Sequence, residues 1–238
     1  MKKKVLVTLL VIALAVVSVS AKDSSMKLGV ELGYGFNTVK NTVSGKLGTS
    51  ESNVKTNYKN NGFAVNLSGE YLITDNWSVK ADVGMMFAGK ANTKSNTKIG
   101  DSDAITASET ASKTSGLYMN YALDAKYTHV LNKDFSVSAL MGLELVTGHI
   151  KKTGDEDADK KLKNTAFGVN FGAELSYAVD KHFSIVAGCD FAWFFVNNCE
   201  SLKADSGSFE VGGKSFASAK ISNTSLGLRP YLGATYAF

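Results

Sequence analysis

Little in this sequence points to a helical membrane protein, a disulfide scaffold or a nucleic-acid binder. After residue 21 no apolar run approaches the ~20 residues that a helix needs to cross a bilayer, which excludes helical spanning. Two cysteines, Cys189 and Cys199, are too few for a disulfide framework. A bridge between them and two unpaired thiols both fit, and unpaired thiols are the expectation. The chain has only three histidines, His129, His149 and His182, which leaves little for histidine chemistry. Charge is nearly balanced, with 26 basic against 22 acidic residues, and Lys2, Lys3 and Lys4 lie in an N-terminal export signal. Without those three, 23 basic residues face 22 acidic ones, so there is no electrostatic case for nucleic acid. Mean hydropathy near zero would by itself suggest a soluble chain; the pattern decides otherwise.

The export signal is read from three parts: the lysines, an apolar run over 5–19, and the small-x-small ending Val19-Ser20-Ala21. Cleavage is expected after Ala21, making 1–21 a signal peptide and 22–238 one domain. No cysteine near the cut indicates lipid modification.

From Leu226 to the terminal Phe238 every second residue is apolar or aromatic, while Gly227, Arg229, Tyr231, Gly233, Thr235 and Ala237 alternate with them. A period of two puts the sets on opposite faces of a strand. Seven more segments alternate in the same way, at about 26–38, 62–73, 77–87, 117–130, 135–145, 167–177 and 183–195. Short turns join the second strand to the third, the fourth to the fifth and the sixth to the seventh. Each places an aromatic before the turn and an aromatic-Ser-aliphatic triplet after it (Trp77-Ser78-Val79, Phe135-Ser136-Val137, Phe183-Ser184-Ile185). Long polar segments at about 40–61, 89–116, 148–165 and 197–220 read as loops at the opposite end. The fold expected is all-β: an eight-stranded antiparallel up-and-down transmembrane β-barrel, its short turns and both termini in the periplasm.

Bulk decides which face points out. The apolar set is crowded with Phe, Tyr, Trp and Leu, and the opposite set is mostly Gly, Ala, Ser and Asn. Eight strands enclose room only for modest side chains, so the bulky set faces lipid. Aromatics cluster at both strand ends, as the two interfaces of a bilayer select. Pro230 interrupts the last strand, where a bulge is expected to absorb its missing N–H.

The inward face carries seven acids, Glu31, Glu70, Asp82, Asp124, Glu144, Glu174 and Asp190, and four bases, Lys27, Lys80, Lys126 and Arg229. Buried charges must pair or stay hydrated. A salt-bridged plug is expected, and a polar pore is the alternative. Other motifs are weak. In the stretch ending Val211-Gly212-Gly213-Lys214-Ser215, Ser208 stands where a phosphate loop needs its first glycine. The acidic run 155–159 lacks the glycine and the bidentate glutamate of a calcium loop. No catalytic, cofactor or metal site is expected. Lys151, Lys152, Lys160, Lys161 and Lys163 could meet lipopolysaccharide phosphates.

The C-terminal residues Tyr231, Gly233, Tyr236 and Phe238 fit the assembly signal of bacterial outer-membrane barrels, and the mature chain resembles the small eight-stranded barrels of the OmpA, OmpX and OmpW type. The match lies in architecture, turn motif and C-terminal signal. That resemblance implies a monomer embedded in outer-membrane lipid, inserted by the barrel-assembly machinery. It implies a role in envelope integrity, in adhesion to a host or surface ligand, or in narrow-pore transport. A non-enzymatic surface protein working through its four loops is expected. A small channel is the second reading, and a lipid A enzyme centred on His149 the third.

Overall fold

A computed structural model describes residues 25–47, 50–99, 105–109, 114–152, 161–199, 208–211 and 214–238. The expected signal peptide, the acidic run 155–159 and Lys160 lie outside these residues. The described elements are all strands: β1 (Met26–Leu47), β2 (Ser50–Leu72), β3 (Trp77–Ile99), β4 (Ile105–Glu109), β5 (Thr114–Val130), β6 (Phe135–Lys152), β7 (Lys161–Ala178), β8 (Phe183–Cys199), β9 (Ser208–Val211) and β10 (Lys214–Ala237). Eight of them pair antiparallel in the order β1-β2-β3-β5-β6-β7-β8-β10, and β10 closes back on β1. The small strands β4 and β9 attach to the ends of β3 and β10.

Register fixes the barrel's dimensions. From Lys27 on β1, directly paired residues run Glu70, Lys80, Asp124, Gly142, Asn170, Ala192 and Gly227, and return to β1 at Asn37, a displacement of ten residues. Eight strands with that stagger tilt about 40°, which holds the backbone roughly 8 Å from the axis. So narrow a bore admits one layer of side chains from each wall.

The three short turns are built alike, because each begins with a side-chain oxygen that reaches forward. Thr74 Oγ1 accepts from the N–H of Asn76 (3.3 Å) and of Trp77 (3.0 Å). Asn132 Oδ1 does the same for Asp134 and Phe135, both at 2.9 Å. Asp180 Oδ1 holds His182 at 2.7 Å and Phe183 at 2.8 Å. A short side chain satisfying two backbone donors mimics a turn of main chain. These two N–H donors hold the fully exposed Asp180 carboxyl below the usual carboxylate range. A carboxylate depressed in the folded state stabilises above its unfolded pKa of about 3.9, and that contribution is lost as pH falls through the folded value. Asp180→Ala is therefore expected to lower the urea midpoint at pH 7, with the gap to wild type closing towards pH 2. A gap equal at both pH values would rule out the charge as its source.

Two expectations are corrected. First, the polar segments at 40–61 and 89–116 are largely strand: β1 and β2 stay paired as far as Leu47 and Ser50, and β3 runs on to Ile99. The segments at 148–165 and 197–220 are likewise entered by β6, β7, β8 and β10. Cross-strand backbone bonding prolongs the sheet although neither face there carries the apolar signature of a membrane strand. Second, Pro230 sits in no bulge. Its pairing with Cys189 on β8 is in register, and the β1–β10 register is the same on both sides of it, at Gly33–Tyr231 and Phe36–Leu228. Pairing with β1 simply lapses between those points, which places the missing donor on one edge and leaves the other ladder whole. The bulges lie elsewhere, at Ser44/Lys46 against β10, at Asn61/Gly62 against β3 and at Phe167/Gly168 against β8.

The bulky set is exposed along every barrel strand, including Leu32, Leu67, Leu143 and Leu232 in the middle of the wall. Aromatic pairs bound this band. Trp77 packs on Tyr127 (5.1 Å between centroids), Phe135 on Tyr177 (4.9 Å) and His182 on Tyr236 (5.7 Å) at the short-turn end. Tyr34 packs on Phe36 (4.9 Å) and Phe167 on Phe195 (5.7 Å) at the other. Cys189 is a free thiol on the outer face.

Candidate functional site: the barrel interior

Inward glycines make the interior possible. A Cβ at Gly84 would fall on the Asn66 and Asn120 amides, one at Gly142 on the Asp124 carboxylate, and one at Gly188 inside the Tyr231 ring. Each of these glycines is a notch into which a neighbouring strand lays a polar side chain.

Most of the expected interior charges meet in one cluster in the short-turn half of the barrel. Lys80 Nζ lies 2.5 Å from Glu31 Oε1, 3.4 Å from Glu174 Oε2 and 3.7 Å from Asp82 Oδ1. Lys126 Nζ bridges Glu174 Oε1 (2.6 Å) and Glu70 Oε2 (3.0 Å). Ser78 donates to Glu70 at 2.8 Å, and Tyr231 donates its hydroxyl to Glu174 at 3.1 Å. Lys80, Lys126, Glu31, Glu70 and Glu174 are all buried. Lys27, a third exposed at the mouth, reaches Glu70 only at 3.8 Å.

A second group lies above it. Arg229 pairs with Asp190 through two nitrogens, Nη2 and Nε (the latter at 3.2 Å), and comes within 4.0 Å of Glu31. With its amide turned so that the oxygen faces Arg229, Asn120 accepts from Arg229 Nη1 at 3.1 Å and donates to the Gly84 carbonyl at 3.2 Å. The Tyr231 ring lies between the groups, with Lys80 Nζ 5.4 Å and the Arg229 guanidinium carbon 5.7 Å from its centroid. Asp124 is buried, and Glu144 lines a cavity beside Arg229; neither makes an ion pair within 4 Å among the described residues.

Sequence reasoning passed over an apolar layer above these charges. Met86, Tyr118, Val146 and Phe194 are buried inside the barrel with Ala64, Ala88, Ala166 and Ala192. Their inward parity was readable, but the inner face as a whole reads as small and polar, which hid four large residues. Between this layer and Arg229 is a cavity of about 50 Å³ lined by Tyr118, Asn120, Glu144, Asp190 and Phe194, room for a few waters. At the short-turn end the bore opens into a 410 Å³ recess beside Lys27, Lys133, Asp134, Lys181 and His182. The ion cluster separates the two spaces. Among the described residues no group of three or more His, Cys, Asp or Glu is arranged to hold a metal.

The C-terminal residues divide by face. Tyr231 points into the barrel, Tyr236 and Phe238 lie outside with rings 5.2 Å apart, and a Cβ at Gly233 would come within 2.6 Å of the Val30 carbonyl. His149 is half-buried on β6, in register with Leu117 and Lys163.

Comparison with curated protein sequences finds no match. Among solved structures, the chain is similar to Neisserial surface protein A (14% identity, 89% of this chain and 97% of that one, TM-score 0.48). It is also similar to a major outer membrane protein of Thermus thermophilus (15%, 90% and 100%, TM-score 0.48) and to Ail, the attachment invasion locus protein of Yersinia pestis, solved with the heparin analogue sucrose octasulfate (15%, 90% and 99%, TM-score 0.43). A family model described as the outer membrane protein beta-barrel domain matches residues 8–214. With that match over most of its length and a closed eight-stranded barrel, the chain belongs to the outer membrane β-barrel family and is an integral protein of the bacterial outer membrane.

Proposed function

We propose that this barrel is a non-enzymatic, non-conducting anchor whose work is done by the strand extensions and loops at its long end. The observation that supports this most is the filled bore, in which the ion cluster around Lys80 and Lys126 and an apolar layer stand in series inside a backbone wall roughly 8 Å from the axis. Burying so many paired charges rigidifies the wall and gives a water path no continuous opening. In this reading the short turns and the termini face the periplasm, the long end faces outward and contacts a surface ligand, and Tyr231, Gly233, Tyr236 and Phe238 guide insertion by the barrel-assembly machinery.

Single-channel recording of the refolded mature chain tests the reading. Protein shown to be inserted is expected to give no steps. Steady, salt-dependent steps that change with Arg229→Gln or Asp124→Asn would overturn it in favour of a channel. The enzyme alternative rests on His149, and lipid A that is unchanged in a His149→Ala strain would remove it.

A further inference from the structure

Seven acids and four bases face the barrel interior, and the ion pairs show where the surplus lies. Lys80 serves Glu31, Glu174 and Asp82, and Lys126 serves Glu174 and Glu70. Lys27 approaches Glu70, and Arg229 holds Asp190. Asp124 and Glu144 are the two acids left with no base within 4 Å among the described residues. Lys80 is the cross-strand neighbour of Asp124, but its ammonium is turned to Glu31 and Glu174.

These two acids converge on one glycine. Asp124 on β5 is paired with Gly142 on β6, and its Oδ1 fills the notch there, 2.2 Å from where a Cβ would stand. Glu144 is the next inward residue of β6, roughly 7 Å along the strand. Asn170 on β7 flanks Gly142 from the other side. Asp190 Oδ1 fills the matching notch at Gly172, one inward position from Asn170, while its Oδ2 is taken by Arg229. Asp124 is 3% exposed and Asn170 5%, and the Oδ1 of each has no hydrogen-bond partner within the protein. Among the described residues every buried side-chain atom in that condition is an oxygen: those two and Asn60, Asn66 and Asp82. Water can donate to an orphaned acceptor, but it cannot offset two unpaired carboxylates.

Donor chemistry identifies what can. Carboxylate and amide oxygens, with no nitrogen or sulfur beside them, suit a hard cation. A divalent ion asks for a closer set of acidic ligands than the described residues provide. We infer that the oxygens of Asp124, Asn170 and Glu144 around Gly142 hold a monovalent alkali-metal cation. It offsets part of the surplus negative charge and gives the two orphaned oxygens a partner. Glu144 also borders the cavity beneath the apolar layer, which has room for the waters that complete a coordination shell. The site requires no particular orientation of the barrel in the membrane.

The test is urea unfolding of the full mature chain in zwitterionic lipid vesicles at constant pH and ionic strength, with sodium or potassium exchanged for the bulky N-methylglucamine cation. For one site present only in the folded barrel, each tenfold rise in the ion above its dissociation constant lowers the unfolding equilibrium constant tenfold. Wild type is expected to show that slope with sodium or potassium. Asp124→Asn is expected to lose it, and in N-methylglucamine to be at least as stable as wild type, because it removes an unpaired buried charge. A merely structural Asp124 would give the reverse, a variant weaker in every salt with its slope intact, and that result would overturn the inference. Asp134→Asn, at an exposed short turn, is expected to keep the wild-type slope and so controls for screening at the surface. If Asp124→Asn does not fold, Glu144→Gln is read in the same way. Equal wild-type stability in alkali salts and in N-methylglucamine would also overturn the inference and leave the surplus charge to protons.

Discussion

Replacing Lys80 with methionine is expected to destabilise the barrel by about 3–5 kcal/mol, the range for removing one partner of a buried ion pair. Methionine preserves most of the side-chain volume, so the loss isolates the charge. Lys80 is buried and lies among Glu31, Glu174 and Asp82. Its removal leaves two of these acids without their nearest cation, and leaves Glu174 to Lys126 alone. Direction matters as much as size. The interior holds seven acids and four bases, so losing a base worsens an existing imbalance and losing an acid relieves it. Asp82 makes the sharpest contrast: it lies 3.7 Å from Lys80, too far for a hydrogen bond, and its Oδ1 has no hydrogen-bond partner within the protein. Asp82→Asn is expected to be near neutral, and adding Glu31→Gln to Lys80→Met is expected to recover part of the loss. Lys27→Met, which removes a 3.8 Å pair at the mouth where Lys27 is a third exposed, is expected to cost under about 1 kcal/mol. Urea unfolding of lipid-inserted protein measures all four. Equal midpoints for Lys80→Met and Lys27→Met would mean that the cluster is hydrated and contributes no more than a surface pair.

How much of this could be read from the chain depends on which force shapes each part. The membrane wall is legible because lipid outside and a narrow bore inside impose a period of two, so Leu67, Leu143 and Leu232 identify themselves as outward and Glu31, Lys80 and Glu174 as inward. The short turns are legible because Thr74, Asn132 and Asp180 are side chains that bond their own backbone. The strand extensions of β1, β2 and β3 are not, because a run of Lys, Asn, Ser and Thr with scattered valines looks like a loop until the backbone partners are known. Gly89 shows the limit most plainly. Alternation along β3 carries no sign that its pairing with β2 shifts by one residue between Ala88 and Lys90, and only the register against Gly62 and Asn61 reveals it. The apolar layer escaped for another reason. Met86, Tyr118 and Phe194 sit on three different strands, and each alone resembles a core residue of no special place.

Leu67→Arg carries the other large expected effect, and it separates a membrane wall from a water-exposed one. Leu67 is 61% exposed and lies on β2 midway between the girdle residues Phe63 and Tyr71, beside Val30 and Val83 in register. On a protein surrounded by water such a substitution touches nothing and falls within about 0.5 kcal/mol of neutral. In a bilayer the same position is at mid-depth, where a guanidinium on the outer wall of a barrel costs about 2–4 kcal/mol, falling to about 0–1 near the interfaces. The same change at Ile73, exposed just beyond Tyr71 at the short-turn end, is therefore expected to cost a fraction of the Leu67 value. Urea titration in lipid vesicles should show that gradient, and it should shrink in detergent, where a micelle adapts around the charge. A flat response across Leu67 and Ile73 in vesicles would mean that this wall does not meet hydrocarbon.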